Sequence, residues 1–365
     1  MIGGHRIALI RGDGIGRDDS EAALAVVDSA LKSIGLNPIP YEEVTSGAGY
    51  YQDTGMDIEP GGEERTDDAD AIFLGAIGLP SIRHQDGTEI SPHLRIRDRL
   101  GLYAGVRPVK AYPHAPQRLA DPRAAQIDLV ILRESTEGLF YTAAVHGRCD
   151  IRGDEEVRDT LRITRTTTEK LHRFGFRLAE RRKSKGRPGL ITCVDKANVF
   201  ASMAFFRKIF NEIAPEFPDV EFGYNYVDAQ ALDLIRRPWD FDVLVMENMF
   251  GDILSDLAGG LVGGMGMAAC GEIGDEHGLF QPAHGSAPDI MGQDKANPLA
   301  AILSGALMLE YLSEKFADSG YADAALIIED AVQKGFEQTR LRPIEFGGDM
   351  GTKAVTREIL AIIAE

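Results

Sequence analysis

The stretch NMFGDILSD places two carboxylates, those of Asp252 and Asp256, four residues apart. On a helix this spacing brings both side chains to one face, where like charges repel unless a cation offsets them. Oxygen ligands without a nearby Cys or His pair favour Mg²⁺ or Mn²⁺ over zinc. The spacing therefore predicts a divalent metal site. The alternative is that Asp252 caps the helix and Asp256 is solvated.

Three arginines, Arg97, Arg107 and Arg133, could bind an acidic substrate. A guanidinium group grips a carboxylate with two parallel hydrogen bonds, so three converging arginines would indicate a di- or tricarboxylic acid. Arg133 ends the apolar run IDLVILR, and open α/β sheets bind ligands at the ends of their strands. Taken singly, each arginine is more commonly a solvated surface cation.

Two other side chains, Lys196 in CVDKANV and Asp228 in YNYVDAQA, also follow predicted strands. A lysine whose pKa is lowered by burial or by nearby cations can accept a proton, whereas the alternative is a surface lysine at a strand end. The turn HGSAPD at 284–289, with Asn297 after it, offers a carboxylate that could accept hydrogen bonds from a ribose diol. It could also be a plain turn.

The turn GDGIG, with Gly12, Gly14 and Gly16, joins a predicted strand to a predicted helix, so its backbone N–H groups could face an anion. The usual dinucleotide fingerprint is GxGxxG, and this turn is GxGxG. A Rossmann dehydrogenase of a 2-hydroxy acid, with Glu42 or Glu43 as the ribose-binding acid, stays an alternative.

Short apolar runs alternate with segments of helical periodicity, which predicts α/β layering with buried strands. The predicted strands are 5–10, 71–74, 128–132, 189–193 and 241–246, and the predicted helices are 18–35, 167–183, 201–213, 298–309 and 352–365. The glycine-rich segment at 259–266 indicates tight packing, with a hinge or a close ligand approach as alternatives.

Composition narrows the classes of partner. The 365 residues include 39 Lys and Arg against 57 Asp and Glu, a net charge of −18. This charge disfavours nonspecific binding to nucleic acids or anionic membranes. The chain has no apolar stretch of the roughly 18 to 20 residues that a membrane span needs, and its polar N-terminus does not resemble a signal peptide. We therefore expect a cytoplasmic protein that binds small molecules.

Read in order, seven motifs resemble the β-decarboxylating dehydrogenases, the family of isocitrate, 3-isopropylmalate, homoisocitrate and tartrate/D-malate dehydrogenases. They are GDGIG, LRIRDRLGLYAGVRP, LRESTEG, VDKANV, YVDA, FGDILSDLAGGLVGG and HGSAPDIMGQDKANP. The resemblance implies an α/β fold with a large mixed sheet that is not a Rossmann domain. It also implies a large domain of residues 1–102 and 263–365, a small dimerising domain of residues 103–262, and a homodimer with active sites shared between subunits.

The resemblance assigns roles by motif position. The substrate carboxylates would be bound by Arg97, Arg107 and Arg133, and Mg²⁺ or Mn²⁺ by Asp252, Asp256 and the other subunit's Asp228. Lys196, also from the other subunit, would act with Asp228 in proton transfer. The residues that would bind the cofactor are Ile15, His284, Gly285, Ser286, Ala287, Asp289, Ile290 and Asn297. A carboxylate at Asp289 would repel the 2′-phosphate of NADP, so the expected cofactor is NAD.

The sequence departs from the family pattern at two positions. The family tyrosine that protonates the enolate corresponds to Phe140, with Tyr141 next to it. Either Tyr141 takes this catalytic role, or water or Lys196 does, or the reaction ends at a different product. Gln281 stands where family members usually have Glu. These departures leave open a catalytically silent relative that acts as a regulatory subunit.

The segment ISPHLRIR, which would set substrate specificity, is mixed. Ser91 matches the serine of isocitrate-type enzymes, while His93 and Leu94 occupy the positions of two leucines in isopropylmalate enzymes. An imidazole at position 93 weakens the case for an apolar pocket. The resemblance implies an isopropylmalate-like substrate, with tartrate or D-malate and isocitrate or homoisocitrate as alternatives.

Overall fold

The computed structural model describes residues 5–144 and 149–365. Within them, ten strands form one sheet and two form a separate hairpin. The strands are β1 (Ile7–Ile10), β2 (Tyr41–Glu43), β3 (Ala71–Leu74), β4 (Ala104–Lys110), β5 (Asp128–Glu134), β6 (Asp150–Arg152), β7 (Glu156–Arg158), β8 (Leu190–Asp195), β9 (Glu221–Tyr226), β10 (Val243–Met246), β11 (Ala269–Ile273) and β12 (Gly278–Pro282).

The order of strands in the sheet is β2-β1-β3-β12-β11-β4-β5-β10-β8-β9. The strands pair in parallel in both outer parts, whereas β12, β11, β4 and β5 pair antiparallel in the centre. In a Rossmann sheet, by contrast, most neighbouring strands are parallel, including those in the centre. The expectation of a large mixed α/β sheet is therefore confirmed, and the Rossmann alternative is wrong.

Twelve α-helices lie among the described residues. They are α1 (Gly16–Ser33), α2 (Ala48–Thr54), α3 (Gly62–Asp67), α4 (Pro92–Leu100), α5 (Tyr141–Ala144), α6 (Arg165–Ser184), α7 (Ala201–Ile213), α8 (Val227–Arg236), α9 (Asn248–Leu261), α10 (Leu299–Phe316), α11 (Ser319–Glu337) and α12 (Thr352–Ile363). No helix in the described part of the chain is long and apolar enough to span a membrane.

The largest apolar core joins the first and last parts of the chain. One face of α1, including Ala23, Val26 and Val27, is fully buried and packs with α10, α11 and α12 against β1, β3 and β12. A second core forms where α6 and α7 cover β5, β8 and β10, with Phe176, Phe206 and Phe210 fully buried. One sheet runs through both cores, and the boundaries of the two predicted domains stay a prediction.

Several predicted elements match the structure closely. The strand at 71–74 and the helix at 201–213 coincide with β3 and α7, and the helix predicted at 298–309 continues as α10 to Phe316. In the glycine-rich segment, a Cβ on Gly264 or Gly266 would lie only 2.4 or 2.2 Å from a carboxylate oxygen of Glu345. This close approach of Glu345 favours tight packing as the explanation for these two glycines.

The second core contains an imidazole that should make folding sensitive to acid. His172 is fully buried on α6, and its Nε2 lies 3.1 Å from the backbone oxygen of Phe206. Burial lowers the pKa of His172 to about 3, against 6.5 for an ordinary histidine. The unfolded chain therefore binds a proton more readily than the folded one, and this contribution to stability is lost as the pH falls from about 6.5 towards 3.

We predict that His172→Leu flattens the pH dependence of unfolding. Between pH 7 and pH 5, His172 alone should lower the free energy of unfolding of the wild-type protein by about 2 kcal/mol. Urea unfolding at both pH values measures this difference, with His277→Gln, at a half-exposed histidine, as the control. An equal loss of stability in wild type and His172→Leu would contradict the prediction.

Candidate active site

Three buried arginines converge on one face of the sheet. Arg107 lies on β4, Arg133 on the adjacent strand β5, and Arg97 on α4, and each is at most 6% exposed. Burial, with a smaller effect of the neighbouring charge of Arg107, lowers the pKa of Arg133 to about 10, although the charge of Asp252 opposes this shift. A guanidinium with this pKa stays charged at neutral pH, so the three arginines form a dry, positively charged patch.

A fourth charged residue, Glu272 on β11, was not found by sequence reasoning. It is fully buried, and its Oε1 lies 3.0 Å from Arg97 Nη2 and 3.9 Å from Arg107 Nη2. Burial raises the pKa of Glu272, but Arg97, Arg107 and Arg133 outweigh burial and hold it below its usual value. The only signal in the sequence was an acid inside the otherwise small and apolar stretch MAACGEIG.

A row across three strands aligns these charges. In the register of the sheet, Glu272 lies opposite Gly105, and Gly105 lies opposite Arg133. A Cβ on Gly105 would lie 2.6 Å from Ser135 Oγ and 2.8 Å from Glu272 Oε2. The absence of a side chain at position 105 therefore leaves the space that the Glu272 carboxylate fills.

The two aspartates of the predicted metal site lie one turn apart on α9, next to the arginines. Asp252 is ion-paired with Arg133, and its Oδ1 is 3.8 Å from Arg107 Nη2, while Asp256 Oδ1 is 4.0 Å from Arg107 Nη1. Burial, together with the charge of Asp252, raises the pKa of Asp256, and Arg107 opposes this rise. The proposed cap role of Asp252 is wrong, because Glu247 caps α9 by accepting a hydrogen bond from Phe250 N.

The aspartates suit a divalent cation in chemistry but are incomplete as a ligand set. Both side chains are carboxylates and are 41% and 59% exposed, so a cation could reach them from solvent. Among residues 5–144 and 149–365 of one chain, no group of three or more His, Cys, Asp or Glu side chains gathers to hold a metal ion. Further ligands would have to come from substrate, water or another subunit.

Lys196 and Asp228 pair with each other rather than with the arginine patch. Lys196 follows β8, Asp228 lies in the first turn of α8, and the two side chains form an ion pair. This contact lowers the pKa of Asp228. The adjacent Asp195 accepts two hydrogen bonds of 2.7 Å from Arg207, which fixes the end of β8. No ion pair between described residues joins Lys196 or Asp228 to Asp252 or Asp256.

The structure separates the two aromatic residues at the position of the family tyrosine. The guanidinium carbon of Arg133 lies 4.8 Å from the ring centre of Phe140, whereas that of Arg162 lies 4.0 Å from the ring centre of Tyr141. Glu247 holds this loop by accepting a hydrogen bond of 2.9 Å from Leu139 N. Phe140 therefore faces the arginine patch, and the catalytic role of Tyr141 stays a prediction.

The two residues expected to set specificity lie at the start of α4. Ser91 precedes the helix, and His93 is in its first turn, near the arginine patch. Burial, followed by the charges of Arg97 and Arg133, lowers the pKa of His93 to about 3. Its buried Nδ1 has no hydrogen-bond partner among the described residues. At neutral pH, His93 is therefore a neutral group with one free nitrogen.

The two predicted cofactor turns contact each other. Ile15 N donates a hydrogen bond of 2.8 Å to Ser286 O, and a Cβ on Gly14 would lie 2.0 Å from the same oxygen. Ser286 Oγ in turn donates to the backbone oxygen of Gly78. Asp13, whose role sequence reasoning missed, accepts hydrogen bonds from Ala48 N and from two further backbone N–H groups. The glycine turn thus positions the HGSAPD turn.

The remaining predicted cofactor residues occupy the surface and the base of this turn. Ala287 adopts a left-handed backbone conformation with φ of 36°. Gly285 and Asp289 are exposed, His284 and Ile290 are half-buried, and burial lowers the pKa of His284. At the base, Asn297 Nδ2 donates a hydrogen bond of 2.9 Å to Glu345.

Comparison with known proteins identifies the family. The family model described as isocitrate/isopropylmalate dehydrogenase matches residues 6–363. A 3-isopropylmalate/3-methylmalate dehydrogenase of Methanocaldococcus jannaschii is 38% identical over 99% of both chains. A 3-isopropylmalate dehydrogenase of Zymomonas mobilis is 35% identical over 98% of this chain and 99% of its own.

Solved structures give the same result for the fold. Isocitrate dehydrogenase from Methylococcus capsulatus superposes with a TM-score of 0.83 at 33% identity, over 99% of this chain and all of the other. A β-decarboxylating dehydrogenase from Thermococcus kodakarensis superposes with a TM-score of 0.77 at 35% identity, over 99% of this chain and 96% of its own. The fold and site define a β-decarboxylating dehydrogenase. The chain belongs to the isocitrate/isopropylmalate dehydrogenase family.

The geometry around α9 predicts that Asp252 is needed for cation binding. Mn²⁺ or Mg²⁺ should raise the thermal unfolding temperature of the wild-type protein, because a ligand that binds only the folded state stabilises it. Asp252→Asn should abolish this rise, measured against the variant's own temperature without metal. Asp53→Asn, at an exposed position on α2, should retain it. An unchanged metal effect in Asp252→Asn would exclude this site.

Proposed function

We propose that the protein catalyses the NAD-dependent, metal-requiring oxidative decarboxylation of a 2-hydroxy di- or tricarboxylic acid, as 3-isopropylmalate dehydrogenases do. The observation that carries the proposal is a cluster of three buried arginines: Arg107 and Arg133 lie next to Asp252 and Asp256, and Arg97 joins them through Glu272. The names of the similar proteins support the same chemistry. Oxidation of tartrate or D-malate, or of isocitrate or homoisocitrate, is the alternative within the family.

In this mechanism the arginines hold the substrate carboxylates. Arg97, Arg107 and Arg133 lie in a water-poor environment, where charge-assisted hydrogen bonds are stronger than in water. The Phe140 ring over Arg133 shields that guanidinium on one side. Holding both carboxylates fixes the orientation of the carbon that bears the hydroxyl group. NAD, when bound, would supply the hydride acceptor.

A Mg²⁺ or Mn²⁺ ion would be held by Asp252, Asp256 and Asp228 of the partner subunit. When bound, such an ion supplies Lewis-acid stabilisation of negative charge on the substrate oxygens. The side chains of Lys196 and Asp228 form an ion pair in this chain, and they would accept the hydroxyl proton together. Loss of CO₂ then leaves an enolate, which Tyr141, Lys196 or water protonates.

We assign the turn at 284–290 to NAD. Ile15 and Ser286 bring this turn to the start of α1, where backbone N–H groups and the helix dipole favour a phosphate. The exposed carboxylate of Asp289 can accept hydrogen bonds from a ribose diol and would repel the 2′-phosphate of NADP. Asn297 supports the base of the turn through Glu345.

An exposed apolar surface supports the proposal of a homodimer. It lies around β9, an edge strand of the sheet, and includes α8 and α9, and Lys196 and Asp228 adjoin it. Its exposed apolar residues are Val199, Phe200, Phe222, Tyr224, Tyr226, Leu232, Ile235 and Ile253. Large exposed apolar patches mark interfaces in soluble proteins. Covering this surface with a second subunit would bring a foreign Lys196–Asp228 pair to the arginine patch.

The first test is a substrate panel. Isopropylmalate, D-malate, tartrate, isocitrate and homoisocitrate are each supplied with Mn²⁺ and NAD, and NADH is followed by absorbance. We expect at least one acid to give NADH and CO₂, with loss of activity on adding EDTA and weaker activity with NADP. A protein that binds NAD but turns over none of these acids would be the silent relative, and the proposed function would be wrong.

A second test addresses the shared site. Lys196→Met and Asp252→Asn should each be inactive as homodimers, because each lacks one residue in both sites. Co-expression of the two variants creates heterodimers. In each heterodimer, one of the two sites contains wild-type Asp252 from one subunit and wild-type Lys196 from the other. Random pairing should then recover about a quarter of the wild-type activity. Mixing Lys196→Met with Asp228→Asn should recover none, since both residues come from one subunit, and recovery by that mixture would refute the shared site.

A further inference from the structure

Glu272 is a buried carboxylate that lies among the arginines that the proposed function assigns to the substrate. It is fully buried, forms an ion pair of 3.0 Å with Arg97, and lies 3.9 Å from Arg107. A buried charge is tolerated only with a partner, and here the partners are two of the three arginines assigned to the substrate. The substrate therefore meets an arginine patch that already carries one resident anion.

The charges on α9 cannot replace Glu272 as this anion. In the proposed function Asp252 and Asp256 bind the divalent cation, so their charge is offset there. Three guanidinium groups then face Glu272 and the substrate alone. One resident carboxylate and two substrate carboxylates balance the three arginines, whereas a third substrate carboxylate would leave one negative charge in excess.

His93 and Ser91, near this part of the patch, offer no further cation, and the Lys196 that the proposed dimer would bring is already paired with Asp228. His93 feels the charges of Arg97, Arg133 and Glu272, and burial together with the two arginines keeps its imidazole neutral at physiological pH. Ser91, at the start of the same helix, is uncharged. A third carboxylate in this part of the site would therefore meet the like charge of Glu272 in a region of low dielectric constant.

We propose that Glu272 is a specificity-determining residue that occupies the anion position beside Arg97, so that the substrate is a 2-hydroxy dicarboxylic acid whose C3 substituent is uncharged. A tricarboxylic acid of the isocitrate type is excluded by charge. The proposal rests on the proposed function and narrows its substrate class. A purely structural Glu272 would affect stability but not the ratio between the two classes of acid.

The test compares D-malate with isocitrate. Calorimetry on the full-length wild-type protein with Mg²⁺ should give a dissociation constant at least about tenfold lower for D-malate. In Glu272→Gln, which keeps the shape and removes the charge, the ratio of affinities should shift towards isocitrate by at least about tenfold, or about 1.4 kcal/mol. The ratio of kcat/KM values should shift in the same direction.

Two control variants separate charge from structure. Glu272→Asp keeps the negative charge and should retain the wild-type preference, whereas Glu276→Gln removes one exposed charge beyond the end of the same strand and should leave the ratio within about twofold. Circular dichroism establishes that each variant is folded. If neither variant at position 272 folds, the wild-type comparison alone decides.

The outcomes are distinct. Tighter binding of isocitrate than of D-malate to the wild-type protein would overturn the assignment, as would an unchanged ratio in folded Glu272→Gln. If no acid in the panel yields NADH, the proposed function fails, but the calorimetric comparison still decides whether Glu272 discriminates by charge. If D-malate and isopropylmalate turn over and isocitrate does not, both proposals are supported.

Discussion

The burial of three like charges on one face of a sheet is the constraint on which the site depends. Arg97, Arg107 and Arg133 are each at most 6% exposed, and together they would repel one another without compensation. Glu272 supplies that compensation from a central strand, and Asp252, which the proposed function assigns to the cation, pairs with Arg133 from α9. The patch therefore exists only because segments distant in sequence meet, and it can attract an acid without water competing for its donors.

The antiparallel centre of the sheet makes this meeting possible. It places β11 against β4 and β4 against β5, so that Glu272, Gly105 and Arg133 form one row. Residues that alternate along a strand share a face, which brings Arg107 to the same side. A wholly parallel sheet would require a long crossover between each pair of neighbours. The topology thus joins residues of the first, middle and last parts of the chain within a few ångströms.

Many of the helices and strands could be predicted from local sequence patterns, whereas the pairing of buried charges could not. The first and last residues of strand β3 and helix α7 were predicted correctly, because the pattern of apolar residues is a local property of the sequence. The spacing of Asp252 and Asp256 is likewise local, since one turn of helix sets it. The role of Glu272 was missed because it depends on the ion pair with Arg97, which lies on a helix far away in the sequence. Glu345 was missed for the same reason: its partners, Gly266 and Asn297, come from two other segments.

Phe140 shows how the same patch limits the chemistry around it. A ring at this position covers Arg133 but carries no proton to transfer, while the neighbouring hydroxyl-bearing ring of Tyr141 rests on Arg162. A tyrosine at position 140 could both cover Arg133 and donate the proton of its hydroxyl group. Phe140 covers Arg133 but has no proton to donate. Under the proposed function, substrate binding and the final proton transfer would therefore fall to different side chains. In the proposed function, binding would depend on the arginines and their counterions, whereas the proton would come from a group other than Phe140.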